Sequence, residues 1–361
     1  VEGAAPVTDR ITHKATRWLQ VEISSLCQAG CIDCNRWRPE GGSEEWRPGD
    51  ETRWLQNSHH HMLNKYYPSQ DWSKHIRMFE GVRHLQFCGN MGDPMSHPGI
   101  LDCCMAVKSH MPDCVIDIST NGGIGRPEHY RQLAMMGVHV TFAVDGLEDT
   151  NHIYRRGVDW QMVRDRMTAF IDAGGRAQWQ WIEFPHNSHQ IDRARELSDL
   201  WGFDEFEVRT RFTQDSDFDR SILAASKQAV LLNSKHREPD YSEQYLESMY
   251  EEQLEQHSHL RVDPACTHAP DVDYHHPNPH INVDGTLWPC CFTANTPFHT
   301  SAPVRHWWKR LTQDLDPDWN SLYHHTPQQI IQSEFWQNLL PKTWEDNTNT
   351  VCLIHCGKCK A

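Results

Sequence analysis

From Trp18 to Phe212 the chain repeats one pattern, and this limits the folds open to it more than any other feature. Six short runs read as strands: Trp18–Ser24, Val82–Phe87, Cys114–Ser119, Val138–Val144, Ala177–Phe184 and Phe206–Phe212. Between them lie segments whose apolar residues recur at helical spacing, such as Trp160, Val163, Met167 and Phe170, or Ile191, Ala194, Leu197 and Trp201. Strands that alternate with helices form a parallel sheet with right-handed crossovers. Six units are fewer than the eight that close a full barrel. The expected fold is therefore α/β, a partial (β/α)6 barrel of the TIM type with one open side, over residues 17–213.

The loop after the first strand carries the chemistry. Cys27, Cys31 and Cys34 stand in the spacing C-x3-C-x2-C. Thiolate is the soft ligand that iron–sulfur clusters take. Three on one tight loop can hold three irons of a four-iron cluster and leave the fourth iron open. A closed structural zinc site would want four ligands, and a disulfide would want an oxidising compartment. A loop at the C-terminal end of a barrel strand is also where the chemistry of such barrels sits.

Composition narrows the class. The formal charge of −15, from 34 basic and 49 acidic residues, argues against a surface that tracks nucleic-acid phosphates. No apolar run approaches the length of a membrane span, and Val1–Thr8 lacks the marks of a signal peptide. Thirteen cysteines without an export signal read as metal ligands and free thiols, with the reducing cytoplasm as the expected setting.

After residue 213 the alternation stops. Residues 214–260 read as an acidic helical linker, and residues 1–16 as an N-terminal extension. Cysteines return in the last hundred residues. A hairpin over Ile281–Trp288, turning at Asp284-Gly285, delivers Cys290 and Cys291. Thr326–Leu340 reads as one amphipathic helix. The chain closes on Cys352, Cys356 and Cys359.

The three-cysteine loop on a six-unit βα chain resembles the radical S-adenosylmethionine (radical SAM) superfamily, and further segments fall where that family places its motifs. After the second strand, Gly89-Asn-Met91-Gly92-Asp93-Pro94 is similar to the family's Gly-Gly-Glu-Pro motif, with Met91 for a Gly and Asp93 for the Glu. After the third, Ser119-Thr-Asn121-Gly122 resembles the strand end near the ligand's ribose and carboxylate. After the fourth, Asp145-Gly146 followed by His152, Arg155, Arg156 and Gly157 resembles a segment whose Arg can pair with the methionyl carboxylate; the following Gly favours Arg156 over Arg155. Residues 261–361 resemble the family's twitch or SPASM extensions, small α+β domains that bind an auxiliary iron–sulfur cluster. Cys266, Cys290 (after Gly285-x4), Cys356 and Cys359 match the twitch pattern, with Cys352 and Cys291 as alternates.

The resemblance implies two four-iron clusters, one of them binding S-adenosylmethionine, and an electron donor of the flavodoxin or ferredoxin type. It implies reductive cleavage of the sulfonium to a 5′-deoxyadenosyl radical that takes hydrogen from a substrate carbon. The net reaction would be oxidation, crosslinking or epimerisation of a peptide or small molecule. Peptide-modifying relatives often carry a leader-binding domain; with 26 residues before Cys27, the expectation shifts towards a small molecule, a protein side chain or a peptide read by the barrel. Other relatives act on sugar alcohols and aminoglycosides. An epimerase would need a thiol to return hydrogen, for which Cys88 and Cys291 are the candidates. The rival readings are a zinc-stabilised binding scaffold and an electron carrier that leaves the cofactor intact.

Overall fold

The computed structural model describes residues 17–31, 34, 65–210, 242–262, 279–298 and 302–359. The N-terminal extension, Cys266 and most of the expected linker (residues 214–241) lie outside these. The chain divides into two compact units. One comprises Glu22–Trp72 and Leu85–Arg237, the other Val1–Val21, Ser73–His84 and Glu238–Ala361.

The first unit carries the strand–helix repeats. Strands β2 (His84–Phe87), β3 (Val115–Thr120), β4 (His139–Ala143), β5 (Ala177–Glu183) and β6 (Glu205–Thr210) lie side by side in chain order. The β3–β4, β4–β5 and β5–β6 pairs are all parallel. Helices α1 (Ile100–His110), α2 (Pro127–Met135), α3 (Asn151–Tyr154), α4 (Trp160–Asp172) and α5 (Ile191–Trp201) make the crossovers. The sequence expectation of a parallel α/β sheet is met here, with strand ends one or two residues from those expected.

Register sorts the strand residues into two kinds of row. Thr120, Phe142, Trp179 and Phe206 share one row; Ser119, Thr141 and Gln178 share the next. The first kind faces the helices. Phe142 lies against Tyr130 of α2 and Phe170 of α4, with ring centroids 5.8 and 6.0 Å away, and Trp179 stacks on Trp201 of α5 at 5.6 Å. Leu85, Phe87, Ile116, Ile118 and Val140 complete this buried layer. The second kind is polar. Thr141 donates to Gln178 (3.0 Å), Gln178 donates to Glu207 (3.2 Å), and Glu207 pairs with Arg209 (2.9 Å). A parallel sheet covered by helices on both faces reads as unbroken apolar runs. These strands alternate instead, as a sheet does when only one face is packed.

In the second unit β1 (Trp18–Val21) pairs in parallel with β8 (His280–Ile281), which turns back antiparallel into β9 (Leu287–Trp288). The turn is the expected one: Gly285 has φ 81°, a left-handed conformation that side chains resist, and Asp284 Oδ1 accepts from the Thr286 amide (3.1 Å) and hydroxyl (2.7 Å). Helix α6 (Glu243–Gln256) packs on α8 (Ala302–Thr312) around Tyr250, Val304 and Val351. Helix α7 (Cys291–Asn295) follows the hairpin, and α11 (Thr350–Cys356) leads into β10 (Gly357–Cys359), which pairs antiparallel with β7 (Leu260–Val262).

The single helix expected over Thr326–Leu340 is broken in two. Helix α9 (Pro327–Ile331) is closed at its start by a capping box between Thr326 and Gln329. The chain then turns into a π-helical segment, Phe335–Leu339, before α10 (Leu340–Glu345). Pro341 has no N–H for the Gln337 carbonyl four residues back, and a widened turn before a proline accommodates that gap. No described helix is long and apolar enough to cross a membrane.

Candidate active site at the ends of the parallel strands

Four segments meet within the first unit. The Cys27–Cys34 loop is tied to the loop after β2 by the Asp93 amide, which donates to the Leu26 carbonyl (2.8 Å), and by the Ser96 hydroxyl, which donates to the same oxygen (2.9 Å). It is tied to the segment after α3 by Gly30 N–H, which donates to the Arg156 carbonyl (2.9 Å). The strand end after β3 closes the ring. Asn121 Nδ2 donates to Cys27 Sγ (3.5 Å), and Gln28 Nε2 donates to Asn121 Oδ1 (2.7 Å).

The loop after β2 explains its own composition. Gly92 lies flush on the backbone of Ser24 and Ser25, so a Cβ there would come within 2.6 Å of Ser25. Pro94 opens a single 3-10 turn that Asp93 caps by accepting from Met95 N–H (2.9 Å). The same buried carboxylate accepts from the Thr120 hydroxyl (2.9 Å) and the Asn121 amide (2.8 Å), fastening this loop to the end of β3. Burial pushes the Asp93 carboxyl up, and these donors work against that. Met91 is buried. Ser119 lies in the polar row, where its hydroxyl accepts from Gln86 (3.2 Å).

Asp145, fully buried, accepts from the Ile182 amide (2.6 Å) and from Arg155 Nε (2.7 Å). Arg155 Nη1 then reaches Cys31 Sγ at 4.0 Å. Burial opposes the Arg155 charge, but Asp145 and Cys31 outweigh it and hold the guanidinium protonated. Arg156 contributes its carbonyl to Gly30. The sequence favoured Arg156; the guanidinium that lies at a cysteine sulfur is that of Arg155.

The donor set fits an iron–sulfur cluster. Burial pushes the Cys31 thiol up to about 12 and the Cys27 thiol higher still, so a pocket without a cation would keep both protonated. A bound cationic centre converts such thiols to thiolates. Asn121 and Arg155 donate to two of these sulfurs, and such donors would tune a cluster held there.

Sequence reasoning missed one residue here. Glu22, two residues before the Ser24–Ser25 backbone, is fully buried. Its carboxylate accepts from three successive amides, Asn90 (3.0 Å), Met91 (3.0 Å) and Gly92 (2.9 Å), and from the Cys88 thiol (3.6 Å). Burial raises its pKa to about 7 against those donors. The available signal was an acid set among Leu19, Val21 and Ile23, in a run otherwise apolar at its core.

The second unit gathers a separate set of cysteines. Burial first, and then the neighbouring Cys290 and Cys356, push the Cys352 thiol up. Buried Cys290 caps α7, its sulfur accepting from Thr293 N–H (3.4 Å), while half-buried Cys291 opens that helix. Cys352, given only as an alternate by the sequence, thus stands with Cys290 and Cys356. Cys266 and the Cys359 side chain lie outside what is described.

No family model and no curated protein matches the sequence. Solved structures do. SuiB from Streptococcus suis, bound to S-adenosylmethionine, aligns over 96% of this chain and 71% of its own at 12% identity and TM-score 0.52. SuiB bound to precursor peptide SuiA aligns over 96% and 72% at 12% identity and TM-score 0.53. The protein anSMEcpe with bound AdoMet aligns over 89% and 82% at 10% identity and TM-score 0.50. The chain has the fold of the radical SAM superfamily, the family that the motifs at its strand ends resemble.

Proposed function

We propose that this protein is a radical SAM enzyme that cleaves S-adenosylmethionine reductively and uses the 5′-deoxyadenosyl radical to take hydrogen from a substrate carbon. The observation that carries this is the convergence of Asn121 on Cys27 and of Arg155 on Cys31, with Asp93 binding the loop after β2 to the end of β3. A structural zinc site has no need of these three strand ends. Cys27, Cys31 and Cys34 would hold the cluster, which when bound supplies the electron for sulfonium cleavage. Arg155, fixed by Asp145, offers a guanidinium beside that loop for the methionyl carboxylate. The Gly89–Pro94 loop offers backbone for the methionyl amino group.

Cys290, Cys352 and Cys356 are the proposed anchor of an auxiliary cluster. The proposed substrate is a peptide or a polar small molecule. SuiB bound to precursor peptide SuiA supports the peptide, and the polar face of Thr141, Gln178, Glu207 and Arg209 supports a hydrogen-bonding ligand of either kind. Cys88 is buried with its thiol directed at Glu22, a poor posture for a hydrogen donor.

The test is anaerobic reconstitution, followed by strong reductant and S-adenosylmethionine. Iron and sulfide should load, and 5′-deoxyadenosine and methionine should form. Zinc at both sites without iron would return the scaffold reading; intact clusters with no 5′-deoxyadenosine would return the electron carrier.

A further inference from the structure

Glu22 is a buried acid that the reaction above does not use. Asn90, Met91 and Gly92 all aim their N–H groups at its carboxylate, at 2.9–3.0 Å, and the Cys88 thiol aims at it from 3.6 Å. The three amides can only donate, and their convergence suits the carboxylate form. Three successive amides around one anion make a nest, filled here from within the protein. The consequence follows from peptide geometry. A trans peptide points its C=O opposite to its N–H, and the described chain has no cis peptide. The carbonyls of Gly89, Asn90 and Met91, which share planes with those three N–H groups, are therefore turned away from Glu22.

We propose that Glu22 is a positioning residue: its carboxylate fixes the Asn90–Gly92 turn, and so holds this loop's outward backbone where a carbonyl can accept from the amino group of S-adenosylmethionine. An ammonium has donors and no acceptor, so it is a carbonyl of this loop, and not one of the N–H groups taken up by Glu22, that can meet it. Gly92 holds the far end of the turn, because its missing Cβ lets the loop lie on Ser24 and Ser25. The assignment rests on the radical SAM reading given above, and it goes further by naming what orients the loop. A carboxylate that only staples a loop to a strand would instead serve stability alone, and the two roles separate by ligand.

The experiment compares wild type with Glu22→Gln, both reconstituted anaerobically, by titration with S-adenosylmethionine and with 5′-methylthioadenosine, which lacks the amino acid moiety. Gln keeps one acceptor oxygen but sets an NH2 against an amide donor. The expected result is unchanged iron per chain, about tenfold or greater weakening for S-adenosylmethionine, and unchanged affinity for 5′-methylthioadenosine. Equal weakening of both ligands, or of neither, overturns the proposal. Wild type that loads iron but binds no S-adenosylmethionine overturns the radical SAM reading, and the proposal with it. Hydrogen exchange in wild type covers the case in which the variant does not fold. The amides of Asn90–Gly92 should be protected although they lie in a loop; exchange at unprotected rates overturns the proposal.

Discussion

Arg155 is held by Asp145 through a 2.7 Å Nε–Oδ2 bond and extends from there to within 4.0 Å of the Cys31 sulfur. The Asp145 side chain is wholly buried and Arg155 is 12% exposed, so neither charge can be hydrated if the other is lost. Asp145→Asn should cost about 3–5 kcal/mol, the range for breaking a buried pair from one side. Arg155→Lys should keep the charge and lose the fork. Its expected signature is weaker S-adenosylmethionine binding with iron content intact. Denaturant unfolding and ligand titration measure the two effects, and Asp145→Asn with an unchanged midpoint would refute the structural half.

Gly92→Ala tests the loop after β2 by sterics alone. A Cβ there strikes the Ser24 carbonyl oxygen and lies 2.6 Å from Ser25. Both are backbone, so no side chain can swing aside. The loop must lift, breaking the Gly92–Glu22 bond (2.9 Å) and straining the Asp93–Leu26 bond (2.8 Å). The expected loss is on the order of 2–4 kcal/mol, as for other severe overpacking, together with loss of S-adenosylmethionine binding. Gly89→Ala is the comparison. Its Cβ would meet the Gly92 carbonyl at 2.9 Å, a milder contact that should cost less in the same unfolding assay.

Acid should destabilise the fold at two histidines. Burial, with a contribution from His189 and His152, lowers His186 to about 4, and burial lowers His280 to about 4 against its bond with Asn282. Unfolded, each titrates near its ordinary 6.5. The folded values are depressed, so stability is fully present above about pH 6.5 and falls as the pH drops toward 4, where the unfolded chain takes up protons that the fold refuses. The loss is roughly 3 kcal/mol for buried His280 and less for partly exposed His186. His280→Asn should flatten its share of the slope in unfolding measured between pH 7.5 and 5. Glu22, raised to about 7 by burial, adds stability as the pH falls through the same window, so the deciding quantity is the difference between variant and wild type; identical slopes would contradict the His280 assignment.

What the sequence disclosed and what it hid divide along sequence distance. The strand order was legible because period-two and period-3.6 patterns are local, and the Cys27–Cys34 loop was legible because its three cysteines lie within eight residues. The placing of Arg155 was not legible. It and Arg156 are chain neighbours, and what sets the Arg155 guanidinium beside a cysteine sulfur is Asp145, ten residues back, and Cys31, 124 residues away. Glu22 was passed over for the same reason, since its amide partners are 68 to 70 residues on. The break before Phe335 was hidden because Ile330, Ile331, Phe335 and Leu339 keep helical spacing across it; Pro341 signals only the widened turn Phe335–Leu339 that follows.

The auxiliary site offers a test that turns on one residue. Cys352 and Cys356 are four apart on α11 and so share a face, and Asn349 caps that helix by accepting from Cys352 N–H (3.0 Å). Cys290 reaches the same neighbourhood from the start of α7, close enough to raise the Cys352 thiol. If these three anchor a cluster, Cys352→Ser should lower bound iron and sulfide by about one four-iron complement and leave 5′-deoxyadenosine formation by the Cys27 loop measurable. Cys291→Ser is the control, because Cys291 opens α7 one residue past buried Cys290 and should keep full iron. Cys31→Ala should do the reverse of Cys352→Ser, removing S-adenosylmethionine cleavage while the C-terminal iron remains. Iron analysis of the three variants side by side decides the assignment. Unchanged iron in Cys352→Ser would move the ligand role back to the cysteines that the sequence pattern named first, Cys266 and Cys359.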